Sequence, residues 1–107
     1  MKHLTATDLA AWLADSSRPA PLLLDVREPW EFETCHIPGS TLISMRTIPA
    51  RFAELDQDAE IVCICHHGGR SMQVAAFLEQ NGFSQLNNLS GGVHAWALQV
   101  DPSMPTY

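Results

Sequence analysis

Two short, unbroken apolar runs, Leu22-Leu23-Leu24 with Val26 and Ile61-Val62-Cys63-Ile64, restrict the fold of this chain more than any other feature. A strand with one wet face alternates apolar and polar residues, so continuous runs of this length describe strands covered on both faces, as in a parallel sheet. Helical patterns lie between and around them. Thr5-Ala6-Thr7-Asp8 offers a capping box, and Leu9, Trp12 and Leu13 follow at helical spacing, predicting a helix to about Ala14 that Ser16 to Pro19 ends. Pro29, fixed near the helical φ, suits the first turn of a short helix from Glu28 to Thr34. Pro38-Gly39 turns the chain into a strand around Thr41 to Ile43, and Pro49 opens a helix through Leu55. After the second run come a helix from about Arg70 to Gln80, stopped by Asn81-Gly82, and a strand within Phe83 to Leu89. A last helix behind Gly91-Gly92 carries Val93, Trp96 and Ala97. The expected fold class is α/β, a small, mostly parallel sheet with helices on both faces and ligands at the carboxyl ends of its strands.

The chain has 107 residues, of which 46% are hydrophobic, enough for one modest core. Residues 1–107 are therefore read as a single domain, with Asp101 to Tyr107, punctuated by prolines, as a loose tail. A formal charge of -6 and the lack of a basic stripe argue against nucleic acid as a partner. No apolar run approaches the roughly 20 residues needed to span a bilayer, and Asp8 and Asp15 interrupt anything like a signal peptide, so a cytoplasmic, membrane-free protein is expected. Three cysteines, an odd number in a chain with a sufficient core, read as thiols rather than as a disulfide framework.

The second apolar run ends at Cys65 and continues as His66-His67-Gly68-Gly69-Arg70-Ser71 into a helix. Gly68 and Gly69 let successive backbone N–H groups converge on one point, and the helix N-terminus adds its positive dipole end. Such a nest favours a thiolate, the nucleophilic form of cysteine, and Arg70 adds a fixed cation within a turn. A strand-to-helix connection with only packing to do has no need of Cys, two His and Arg together. Cys65 is thus the candidate nucleophile.

This loop resembles the rhodanese active-site motif Cys-x-x-Gly-x-Arg. The resemblance extends to Asp25-Val26-Arg27-Glu28-Pro29, to His36-Ile37-Pro38-Gly39, and to Gly82-Phe83 through Asn88-Leu89-Ser90-Gly91-Gly92 with Ala95-Trp96, and so spans nearly the whole chain. It implies a rhodanese-like fold and a sulfurtransferase in which Cys65 takes sulfane sulfur from thiosulfate or a persulfide and passes it, as a Cys65 persulfide, to a thiol or protein acceptor. The backbone N–H groups of His66, His67, Gly68, Gly69, Arg70 and Ser71 would hold the anionic sulfur, and Arg70 the anionic donor. Phosphatases and arsenate reductases of this fold place five residues between Cys and Arg, whereas four separate Cys65 from Arg70, so the smaller ring is similar to the sulfur-transferring type. The Cys-Gly-Ser/Thr-Gly of mercaptopyruvate-using relatives is absent. A non-catalytic or carrier module relaying sulfur to a protein partner has the same loop.

Several neighbours admit more than one reading. His66 and His67 either raise local positive charge by partial protonation or simply face water. Asp25 and Arg27 form a structural ion pair, or Arg27, like Arg46, helps attract an anionic donor. Cys63 and Cys65 are one residue apart, unlike usual zinc ligand spacing, so neither a metal nor a cofactor is assigned and Cys63 is read as core. Cys35 stands where rhodanese relatives commonly have Gly, at a helix end that favours a left-handed backbone, with a cost of about 1 kcal/mol for a side chain there. It is a tolerated replacement, a thiol that resolves Cys65 into a disulfide, or the mark of a different local backbone.

Overall fold

The capping box forms in the computed structural model, which describes residues 1–107. Thr5 Oγ1 accepts the Asp8 N–H and the Asp8 carboxylate accepts the Thr5 N–H, both at 3.1 Å. Satisfying these orphan donors is worth about 1 kcal/mol and starts α1 (Ala6–Ala14), which buries Ala6, Leu9 and Trp12 against the sheet. Both apolar runs become strands, β2 (Leu22–Asp25) and β4 (Ile61–Ile64), paired in parallel from Leu22 with Ile61 to Asp25 with Ile64. Period-2 alternation sends Leu23, Val62 and Ile64 to one face and Leu24, Ile61, Cys63 and Cys65 to the other. The sheet therefore separates two cores, and each run is apolar throughout because each serves both.

Five strands lie in the order β1-β5-β4-β2-β3, every pair parallel, with β1 at Lys2–Leu4, β3 at Thr41–Leu42 and β5 at Leu86–Leu89. α1 and α5 (Gly92–Gln99) cover one face, while α3 (Ile48–Arg51) and α4 (Gly69–Gln80) cover the other. The α/β class with helices on both faces is what the apolar runs require. α2 (Pro29–Thr34) crosses from β2 to β3 at the sheet's end, with Pro29 in its first turn. No helix is long and apolar enough to cross a membrane.

The secondary structure and chain end depart from the sequence expectations in three places. β1 has no apolar run because it is an edge strand, with Lys2 and His3 exposed. The helix expected from Pro49 through Leu55 is a single α turn flanked by 3₁₀ turns at Met45–Thr47 and Phe52–Glu54. The segment read as a loose tail is tied down: Met104 is buried in the core beside α5, and the Tyr107 hydroxyl joins Arg27 and Glu31. Proline spacing signals irregular backbone, and irregular backbone with an apolar and an aromatic anchor still packs.

Candidate active site

Because Asp25 and Ile64 are ladder partners, the loops leaving β2 and β4 begin side by side at the carboxyl edge of the sheet. Cys65 is the first residue of the β4 loop and is only 1% exposed. Its Sγ accepts the Gly68 N–H at 3.1 Å and lies 3.3 Å from Ser71 Oγ. The nest is smaller than the loop composition suggests: of the N–H groups from His66 to Ser71, the one that reaches Sγ is that of Gly68.

Gly68 holds φ at +109°, a value L side chains rarely adopt, and that turn directs its N–H back at the sulfur as it caps α4. Neighbouring elements hold the loop in place. Asn88 of β5 donates from Nδ2 to the Gly68 carbonyl at 3.1 Å and accepts the Ser71 hydroxyl at Oδ1. The N-terminus of α5 donates from Val93 and His94 to the carbonyls of Cys65 and His66, at 3.0 and 3.1 Å. Gly92 permits that approach, since a Cβ there would collide with both carbonyls. Cys63, below Cys65 on the same face, is fully buried; burial pushes its thiol up to about 12, with Cys65 adding to the effect, and leaves it a core residue.

Arg70 makes a bidentate ion pair with Glu31 of α2 at 2.7 and 2.9 Å. The Arg70 guanidinium, helped by the Tyr107 hydroxyl and the Glu28 N–H, overcomes burial and holds the Glu31 carboxyl down to about 2. Two of the five Arg70 N–H groups are engaged in this way, and its side chain remains 37% exposed.

Arg27 is the opposite case. It is fully buried, with Nε and Nη2 on Asp25, Nη2 also on the Cys35 carbonyl, and Nη1 on the Glu31 carbonyl and the Tyr107 hydroxyl. All five N–H groups have acceptors, which corrects the reading of Arg27 as an attractor of anions: it is the structural half of an ion pair. Arg46 is also set apart, largely in solvent and loosely paired with Glu28 at 3.6 Å.

Cys35 has φ of -165° and ψ of 149°, an extended backbone open to any residue, so the anticipated left-handed cost is absent. Its side chain packs in the core of α1 and α5, whereas Cys65 belongs to the core of α3 and α4. The two thiols thus pack on opposite faces of the sheet. His66 stacks on Tyr107 with centroids 4.0 Å apart, and burial, then the nearby His67 and His94, hold its imidazole below the usual value. That direction works against the positive charge considered for His66, and His67 is exposed. Glu31, Tyr107, Asn88 and His94 complete the surroundings. Of these, only Asn88 left a trace in the sequence, as a polar residue within a short strand segment.

The fold and this loop define a class: parallel α/β domains that present a cysteine at a strand end, over a helix N-terminus. Residues 5–99 match the family model of the rhodanese-like domain. The chain belongs to the rhodanese-like domain family. It is 36% identical over 97 residues to a sulfurtransferase of Allochromatium vinosum, covering 91% of this chain and 89% of that protein. It is 39% identical over 75 residues to the thiosulfate sulfurtransferase GlpE of Pseudomonas syringae, covering 70% and 71%. It is also 42% identical over 89 residues to the rhodanese-like/PpiC domain-containing protein 12 of Arabidopsis thaliana, covering 79% of this chain but 30% of that longer protein. Among solved structures, a rhodanese-like domain protein from Staphylococcus aureus superposes with a TM-score of 0.84 at 33% identity, over 100% of this chain and 99% of that one.

Proposed function

We propose that the protein is a sulfurtransferase that moves sulfane sulfur from thiosulfate or a small persulfide to a thiol or protein acceptor through a persulfide on Cys65. The observation that carries this reading is the Cys65 sulfur held by the Gly68 N–H and the Ser71 hydroxyl at the start of α4. The single Ser71 proton serves one acceptor at a time, Asn88 or the sulfur. Beside a thiol it points to Asn88. Beside a thiolate it turns to Sγ, joining the Gly68 N–H on the anion.

In the first half-reaction the Cys65 thiolate attacks the outer sulfur of thiosulfate. The new Sγ–S bond forms as the S–S bond of the donor breaks, and sulfite leaves with the bonding pair. In the second, an acceptor such as cyanide attacks the outer sulfur of the persulfide, leaves as thiocyanate and restores the thiolate. Neither step moves a proton, in keeping with a loop that offers no dedicated base. Burial of Cys65 favours a donor that presents a single terminal sulfur. The free N–H groups of Arg70 are the cationic contact for such a donor, since Arg27 has none left.

A second reading, a carrier module relaying sulfur to a protein partner, draws on the longer Arabidopsis thaliana relative, of which the chain spans 30%. Steady-state formation of thiocyanate from thiosulfate and cyanide, following ping-pong kinetics and lost in Cys65→Ser, is the expected result. Undiminished turnover in Cys65→Ser would overturn the assignment. Slow turnover with cyanide beside rapid Cys65 persulfide formation would select the carrier.

A further inference from the structure

The sequence assigns no metal to the loop, but the fold brings a third imidazole to its two histidines. His94 of α5 faces the loop because its N–H bonds the His66 carbonyl at 3.1 Å and Gly92 lets the helix approach that closely. One nitrogen from each of His66, His67 and His94 lies within 4.8 Å of the others, and the ring centroids are 4.0, 5.1 and 5.8 Å apart. Two nitrogens of this group, His66 Nε2 and His94 Nδ1, are buried without any hydrogen-bond partner. Leaving a buried imidazole nitrogen unpaired is costly, and a bound cation would partner such nitrogens.

We propose that His66, His67 and His94 form a site for a borderline divalent cation of the zinc type. The donor set selects the ion: three imidazoles with no carboxylate suit zinc, copper or nickel and not calcium or magnesium. Tetrahedral zinc with bonds of about 2.0–2.1 Å places ligand nitrogens about 3.3 Å apart, so the rings close in by about 1.5 Å at most. Rotation of the exposed His67 side chain supplies most of that movement, while the stack on Tyr107 and the backbone contacts to α5 keep His66 and His94 in place. His67 also gives the ion its entry path from solvent. Three protein ligands leave a fourth position open, beside the loop that carries Cys65. The chain's net charge of -6 discourages anions at long range and draws cations.

The site is independent of the sulfur chemistry and is tested without it. Metal-free, reduced protein is titrated with zinc chloride near pH 7.5 by calorimetry. One zinc per chain is expected, with affinity in the micromolar range or tighter. His94→Ala and, separately, His67→Ala weaken it by about tenfold or more, while Cys65→Ser binds as the wild type does. His67 is exposed, so its variant reports on the site even where loss of His94 disturbs the α5 contact. Absence of stoichiometric binding would overturn the proposal. Binding unchanged in both histidine variants, or lost in Cys65→Ser, would equally overturn it, the latter by placing the metal on the thiolate.

Discussion

The loops after β2 and β4 start from paired residues of adjacent parallel strands, and each carries an arginine and a carboxylate contact, yet they are built for opposite ends. In the β2 loop every N–H of Arg27 is engaged and the guanidinium is sealed from water. In the β4 loop Arg70 keeps three N–H groups free, one face of the ion pair meets solvent, and the adjacent sulfur holds a donor that can be redirected. A saturated cation stiffens the edge of the sheet. An unsaturated one beside a nucleophile can meet a ligand. Glu31 and Tyr107 join the two, since Tyr107 accepts from Arg27 and donates to Glu31, the partner of Arg70.

The comparison breaks first at Arg27. Arg27→Ala leaves the buried Asp25 carboxylate and two carbonyls without their partner, and is expected to cost about 3–5 kcal/mol in urea unfolding. Arg70→Met should instead act mainly on activity. With one charge-assisted contact to the donor lost, at about 1.5–3 kcal/mol, kcat/KM for thiosulfate falls about 10- to 100-fold, while stability falls less than in Arg27→Ala because Arg70 is itself 37% exposed and the buried Glu31 keeps the Tyr107 hydroxyl and the Glu28 N–H. The reverse pattern, an unstable Arg70 variant and a stable but inactive Arg27 variant, would invert the roles.

Acid titration sharpens the link between the loops. The Glu31 carboxyl sits at about 2 in the fold, below an unfolded value of about 4.3, so its contribution to stability is complete above about pH 5 and is lost as pH falls towards 2. Glu31→Gln should flatten the decline in stability over that window, measured by denaturant midpoints. An unchanged slope would remove Glu31 from the acid response. The smallest effect is expected for Tyr107→Phe, which keeps the ring on His66 but removes one hydroxyl between Arg27 and Glu31, at about 1 kcal/mol.

Much of this arrangement was legible in the chain itself. Runs such as Ile61 to Ile64 announce strands buried on both faces, and Cys65 followed by two glycines announces an anion-holding turn, because these patterns are local. The partners of that turn are not local. Glu31 meets Arg70 across 39 positions and Tyr107 meets Glu31 across 76, and no periodicity relates residues so far apart. Likewise, the position of Cys35 before His36-Ile37 suggested strain, which its extended backbone does not have. His94 stood unremarked within a helix until the close approach at Gly92 placed it beside His66.

The central claim, a sulfur atom carried on Cys65, is tested most directly by intact mass after exposure to thiosulfate. A gain of about 32 Da, reversed by cyanide, retained in Cys35→Ser and absent in Cys65→Ser, is the predicted result. No gain in the wild type, or the same gain in Cys65→Ser, would contradict it.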